Sequence, residues 1–183
     1  MDQPLWARLH PLAVLLPTGL LLAAMIVVFL GLVCPAHRRA ASVAAICILV
    51  VGAMATIASQ QTGRSSAHRF EQTIPQNKIE QIEELLAEHI RHARAAVMMY
   101  YLSGFLCTTI FLLPLVWKRL AQRRVLLAAD FILLVWLAAT GYALAHSADS
   151  GIRLARRHWS IAAKADPWAE AAAELAPPVD QRR

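Results

Sequence analysis

Long apolar segments separated by short charged clusters dominate the chain. No Asp, Glu, Lys or Arg occurs between Arg8 and Arg38, from Ala40 to Gly63, or from Ala95 to Trp117. A fourth segment, from Val125 to Ser147, contains only Asp130. Each segment holds roughly the 20 apolar residues that an α-helix needs to cross a hydrocarbon core about 30 Å thick. The pattern therefore predicts four transmembrane helices.

These segments divide the chain into five regions. We expect the first span to be an uncleaved anchor, because no small-residue cleavage site follows a short hydrophobic core. After the last span we expect a surface helix and then a loose tail rich in Ala and Glu. The predicted regions are a tail at 1–10, spans one and two within 11–59, a polar connection at 60–94, spans three and four within 95–146, and a second tail at 147–183.

The polar connection contains the clearest amphipathic pattern. Asn77 and Glu80 have the spacing of a capping box, which predicts the start of a helix. Apolar positions then recur at steps of three and four residues from Ile79 to Ala93, while glutamates occupy the opposite side. We predict an extended amphipathic helix that leads without a break into span three. Its apolar stripe, Ile79 to Ala93, is a candidate docking surface for a partner protein.

Composition agrees with a membrane protein. Of the 183 residues, 58% are hydrophobic and 16% are charged, whereas about 25% are charged in soluble domains. The net charge of +6 comes from Arg and Lys at the ends of apolar segments, where such residues anchor helices at lipid headgroups. The expected partner is therefore the lipid bilayer and not nucleic acid. The fold class is an all-α, integral membrane four-helix bundle.

The charges of the two short connections predict the orientation. Residues 34–39 and 118–124 carry six Arg and Lys residues and no acid. The positive-inside rule places these connections in the cytoplasm. Both termini and the polar connection then lie on the periplasmic side of a bacterial inner membrane, although five arginines flank spans on that side too.

Histidines concentrate at one predicted membrane face. His10 begins span one, His89 and His92 precede span three, and His146 ends span four. Because helices alternate direction in an up-down bundle, all four lie at the outer face. His89 falls on the apolar stripe and should point into the bundle, whereas His92 is about 100° from the centre of that stripe.

This cluster has three interpretations that the residues leave open. A b-type haem in a helical bundle needs two axial ligands on facing helices, and His89 with His10 or His146 would supply them. A mononuclear metal bound by His10, His89 and His146 is the second. The third is that the histidines bind nothing and sit at the membrane interface.

Asp130 is the one acid inside a span. An intramembrane carboxylate is a candidate functional residue. It also lies within reach of Arg123, Arg124 and Lys118, so a structural ion pair with one of them is expected. The chain has no Walker A, HExxH, GxSxG or CxxCH sequence, so no enzyme class and no covalent haem attachment are indicated.

Residues 10–18, His-Pro-Leu-Ala-Val-Leu-Leu-Pro-Thr, resemble the opening motif of a bacterial family with four spans, the domain of unknown function 2231 family. Leu15 stands where that family has a second histidine. His89 is similar to the histidine before span three of the family, and Thr140-Gly141 to its closing motif. The resemblance implies respiratory or redox partners, membrane-bound or periplasmic, and leaves His10, His89 and His146 as its site.

Two functions follow as expectations. The first is a redox-associated membrane protein that holds haem b or a metal at the outer face. The alternative is a non-catalytic accessory subunit that docks a partner through its protruding helix.

Overall fold

The computed structural model describes the backbone of residues 5–73 and 79–164, and the side chains of residues 13–65, 82–117 and 119–157. This part of the chain forms four long α-helices joined in sequence by two short 3₁₀ turns and the 74–78 connection. The helices are α1 (Leu5–Val33), α2 (Arg38–Thr73), α3 (Ile79–Val116) and α4 (Arg123–Lys164), and the 3₁₀ turns are Pro35–His37 and Lys118–Ala121.

The prediction of four membrane spans is confirmed. Four helical stretches are long and apolar enough to cross a membrane: Ala13–Val33, Pro35–Ser65, Ile82–Val116 and Arg123–Arg157. Helices form in these segments because a chain in lipid must satisfy every backbone N–H and C=O internally. The exterior matches this environment, since large apolar side chains such as Leu22, Phe105 and Phe131 are more than half exposed. Their surroundings in a bilayer are acyl chains.

The two short connections create two tight hairpins. Pro35 ends the first helix because the residue before a proline is disfavoured in the helical region, and the turn closes with the N–H of His37 donating to the Cys34 carbonyl at 3.0 Å. The helices then approach closely: a Cβ on Gly31 would lie 3.0 Å from the Cβ of Ala41. Small residues at such a crossing permit backbone contact in membranes.

The hairpins pack side by side. Helix α1 packs on α2, α3 on α4, α2 on α3 and α1 on α4, so the four helices form a closed ring. One apolar cluster fills the centre, with Leu21 and Ala24 from α1, Leu49 from α2, Tyr100 from α3 and Leu137 from α4. This arrangement brings both short connections to one end of the bundle.

The helices are longer than the predicted spans. Helix α2 continues to Thr73 and α4 runs unbroken to Lys164, so the predicted surface helix after His146 is a continuation of α4. Polar residues alone do not end a helix, and neither 60–73 nor 147–164 contains a proline. The prediction that the amphipathic segment continues into span three is confirmed by α3.

The surplus length forms a helical projection. Helix α3 has 38 residues, about 57 Å at 1.5 Å per residue, against a hydrocarbon core of about 30 Å. Because the short connections hold one end of each hairpin together, the excess length lies toward the opposite end of the bundle. We call residues 79–94 of α3 with 147–164 of α4 the projection. Inside it, Ile82 and Leu154 are buried against each other's helix, with Leu85 and Leu86 alongside.

Candidate functional site

Three histidines gather where the projection meets the apolar part of the bundle. His89 and His92 lie one turn apart on α3, and His146 lies on α4. The imidazole rings of His92 and His146 are in edge contact, with centroids 4.3 Å apart and planes inclined by 67°. Antiparallel pairing of α3 and α4 places His92 opposite His146 and His89 opposite Ser150. The expectation that histidines of spans three and four share one end of the bundle is thereby met.

His89 is held in one orientation by Ser150. The Ser150 hydroxyl donates to the carbonyl oxygen of Ser147 at 2.8 Å, so its oxygen is left to accept from His89 Nδ1, 3.0 Å away. Both contacts are satisfied by the tautomer of neutral His89 that has its proton on Nδ1, which leaves the lone pair on Nε2. This is the tautomer of a metal-ligating histidine whose other nitrogen is oriented by a hydrogen bond.

Gly151 makes room for the His89 ring. A Cβ at this position would lie 3.0 Å from His89 Cε1 and 3.5 Å from its Nδ1. The absence of a side chain on α4 thus lets the imidazole enter the seam between the two helices. The sequence pattern predicts that His89 points inward, and in the structure its ring packs against Gly151 of α4.

His92 and His146 have further neighbours on their own helices. Glu88 Oε1 lies 3.5 Å from His92 Nε2, one helical turn away. The Tyr142 ring stacks parallel to His146, with centroids 6.2 Å apart. Helical periodicity places His92 at the edge of the apolar stripe and predicts no ligand role for it, yet it is the residue that His146 contacts.

The predicted ligand set of His10, His89 and His146 is only partly visible. The backbone of His10 belongs to α1, but its side chain lies outside the described residues. Among the described side chains, no three His, Cys, Asp or Glu already stand together as a metal site. The three-histidine site and a haem between these residues therefore stay predictions.

Asp130 lies at the opposite end of the bundle, 16 residues before His146 on α4. Both of its carboxylate oxygens accept from Arg38, at 2.6 Å from Nε and 3.1 Å from a terminal nitrogen. The expectation of a structural ion pair is right, but the expected partners Arg123, Arg124 and Lys118 are replaced by Arg38 on α2. The reason is geometric, since Arg38 starts the helix after the first hairpin turn and faces the second hairpin.

A polar cluster inside the apolar region has no counterpart in the sequence analysis. Ser103 Oγ accepts from Trp136 Nε1 and contacts Thr140 Oγ1, both at 3.1 Å. Thr140 and Ser103 also donate to carbonyls one turn earlier on their own helices, which is the common way for hydroxyls to be satisfied in a transmembrane helix. Single hydroxyls in apolar runs give no sequence signal because the helix itself can satisfy them.

Comparison with known proteins adds no identification: no family model, curated protein or solved structure matches the chain. The resemblance to the domain of unknown function 2231 family accordingly stays a prediction.

Proposed function

We propose that this chain is a non-catalytic accessory subunit of a membrane protein complex, and that it docks a partner through the projection. The observation that carries the proposal is the packed contact between Ile82 and Leu154, which makes the extramembrane ends of α3 and α4 a single body. A preorganised surface loses less conformational entropy on binding than separate flexible segments do.

The docking surface differs from the stripe expected from the sequence. Ile82 is only 3% exposed, because that stripe faces α4. The outward side instead presents Ile152, which is 51% exposed, with Arg156 one turn away and Arg153 beside it, paired with Asp149 at 3.1 Å. An apolar side chain with a polar rim is the composition of a protein contact site. The occupant that fits is a protein domain at the membrane surface with an apolar pocket edged by acidic residues.

The proposal includes a location. The short connections lie in the cytoplasm and the projection lies on the periplasmic side of a bacterial inner membrane. The support is the dense positive charge of residues 34–39 and 118–124. Both connections belong to the same end of the bundle, as the Arg38 to Asp130 pair requires.

Photo-crosslinking in native membranes tests this function. A photoreactive residue at Ile152 is expected to give a protein adduct of one defined mass, while the same residue at the lipid-facing Phe131 gives none. The substitution Ile152→Asp should abolish co-purification of that adduct partner in a reciprocal pull-down, whereas Phe131→Leu retains it. Adducts with lipid alone, or with a second copy of this chain alone, contradict the proposal.

A redox role is the second candidate, and the tautomer of His89 favours it. A neutral imidazole with Nδ1–H bonded to Ser150 and a free Nε2 lone pair is prepared for ligation of haem b or a metal ion. Absorption spectra of the detergent-purified protein, oxidised and dithionite-reduced, test this candidate. A Soret band that is lost in His89→Ala supports it, and a colourless, folded protein from haem-replete cells excludes haem.

A further inference from the structure

The end of the bundle formed by residues 34–39 and 118–124, which we call the connection end, has a large excess of positive charge. Arg39, Arg119, Arg123 and Arg124 are all exposed there. In the part of the chain that the structure describes, none of these four arginines has a hydrogen-bond or ion-pair partner. Their guanidinium groups are therefore open to anions from outside the protein.

The sequence places no acid at the connection end to neutralise these arginines. No Asp or Glu occurs in residues 3–70 or 89–129. Asp130 on α4 is the acid that follows, and both of its carboxylate oxygens already accept from Arg38. The pair consumes that acid and leaves the charge of the exposed arginines unbalanced.

The opposite end of the bundle has a mixture of charges instead. Arg64, Arg91 and Arg94 are exposed there, but acidic side chains lie around them on α3 and α4. Those that the structure describes are Glu83, Glu84, Glu88 and Asp149. The two ends therefore differ in the sign and density of charge that they present to a ligand.

Apolar side chains border the arginines of the connection end. Val33, Leu115, Val116 and Trp117 are each more than half exposed, and in a bilayer they contact acyl chains. Tryptophan is enriched where the acyl region meets the headgroups, so Trp117 marks that level. The arginines that follow it in the chain lie at the depth of the lipid phosphates.

A phospholipid fits such a border, because its phosphate and its acyl chains are joined in one molecule. Clusters of Arg and Lys next to transmembrane helices attract anionic headgroups. A zwitterionic headgroup fits less well, since its own ammonium group is repelled by the arginines. A soluble polyanion such as nucleic acid would contact the arginines but leave the apolar side chains without a partner.

We propose that the connection end binds the headgroup phosphate of an anionic phospholipid, with Arg119, Arg123 and Arg124 as its main contacts. Arg39 of the first connection adds to the attraction. Selection for a net negative headgroup goes beyond the general anchoring of helix ends by Arg and Lys. The site is independent of partner docking at Ile152 and of the histidines.

The bound lipid should stabilise the folded bundle. A ligand that binds only the folded protein stabilises it by mass action. Phosphatidylglycerol, which is anionic, is therefore expected to raise the midpoint of thermal unfolding more than zwitterionic phosphatidylcholine with the same acyl chains. Because the arginines are exposed, added salt should reduce the difference between the two lipids.

Thermal unfolding of the full-length protein in a neutral detergent, titrated with either lipid, is the direct test. The wild type should show a saturable rise of the midpoint with phosphatidylglycerol and a smaller response to phosphatidylcholine. Arg119→Gln, Arg123→Gln and Arg124→Gln combined should weaken the apparent affinity for phosphatidylglycerol by at least about tenfold, since each cation near an anionic surface contributes about fivefold.

The matched control removes the same amount of charge from the opposite end. Arg64→Gln, Arg91→Gln and Arg94→Gln combined should bind phosphatidylglycerol as the wild type does. Arg119→Lys, Arg123→Lys and Arg124→Lys combined should retain most of the affinity, because lysine keeps the positive charge.

Equal responses of the wild type to the two lipids overturn the proposal. Equal weakening by both glutamine triples also overturns it, because the attraction is then diffuse. Loss of binding in the lysine triple does the same, since the guanidinium groups then act structurally. A rise with inorganic phosphate or a short oligonucleotide that equals the rise with phosphatidylglycerol replaces the lipid as ligand and overturns the proposal too.

Discussion

Asp130 on α4 accepts two hydrogen bonds from the guanidinium of Arg38 on α2, in a fork-to-fork arrangement. The side chains are 8% and 18% exposed, so the pair is shielded from solvent by the helices around it. Bidentate Arg–carboxylate pairs are the strongest and most directional of the ion pairs in proteins. This one joins the two hairpins at the end where the short connections lie.

Removing one partner should therefore destabilise the bundle strongly. We expect Asp130→Ala to lower the free energy of unfolding by about 3–5 kcal/mol, because Arg38 would be left as an uncompensated buried charge. The measurement is the unfolding midpoint of the detergent-solubilised protein. Arg38→Leu combined with Asp130→Leu should regain most of the loss, since no unpaired charge stays behind.

Arg124→Ala is the matched control, because Arg124 is exposed and is one of the partners that the sequence suggests. It should unfold like the wild type. A loss in Arg124→Ala equal to that in Asp130→Ala would contradict the assignment to Arg38.

The sequence predicts that Asp130 is paired but not with which residue, for a physical reason. Within one helix, spacing of three or four residues identifies neighbours, and Arg123 and Arg124 are the basic residues nearest in sequence. Arg38 is 92 positions away, and only the packing of α2 and α4 around the bundle brings it close. The number of spans and their helical structure were predictable, because lipid demands long apolar helices. The contacts between helices were not, because they depend on how each helix is rotated about its own axis.

Tyr100 occupies the space beside Gly52. A Cβ on Gly52 would lie 2.6 Å from the ring carbon Cζ of Tyr100, within a core where Tyr100 is fully buried. Gly52→Ala should therefore destabilise the protein by about 1–3 kcal/mol, the range for overpacking a core. Gly104→Ala is the control, because no atom lies within 4 Å of its Cβ position, and it should be neutral or gain up to about 1 kcal/mol from helix propensity.

The Tyr100 hydroxyl is a buried polar atom without a hydrogen-bond partner. Leaving such a group unsatisfied costs about 1–3 kcal/mol. We expect Tyr100→Phe to be neutral or stabilising in thermal unfolding. A clear loss of stability in Tyr100→Phe would mean that the hydroxyl has a partner in the membrane.

The projection should be weakened by one core substitution. Leu154 is 6% exposed and packs against Ile82, so Leu154→Ala is expected to cost about 2–5 kcal/mol locally. Hydrogen exchange of peptides from 82–94 and 147–157 should accelerate together. Ile152→Ala is the control, because an exposed side chain contributes within about 0.5 kcal/mol, and its exchange should match the wild type.

At the histidines, too, the sequence predicts features within one helix but not the contacts between helices. The inward direction of His89 follows from helical periodicity, because Ile82, Leu86 and His89 share one face. The contact of His92 with His146 does not, because His92 is off the centre of that face and only the alignment of α3 with α4 brings the two rings together. Gly151 likewise gives no signal alone; its role emerges from the ring of His89 beside it.

The proposed orientation makes a prediction about native thiols. Cys34 is exposed in the first short connection, Cys107 is buried in α3, and Cys47 is exposed on the apolar part of α2. A maleimide reacts with a thiolate in water, so Cys34 is the native thiol that a membrane-impermeant maleimide should label. With the short connections in the cytoplasm, labelling is expected in inverted bacterial inner-membrane vesicles and not in spheroplasts. In a Cys34→Ala background, Arg156→Cys on the projection should give the reverse pattern, and labelling of Cys34 from the spheroplast exterior would reverse the assigned topology.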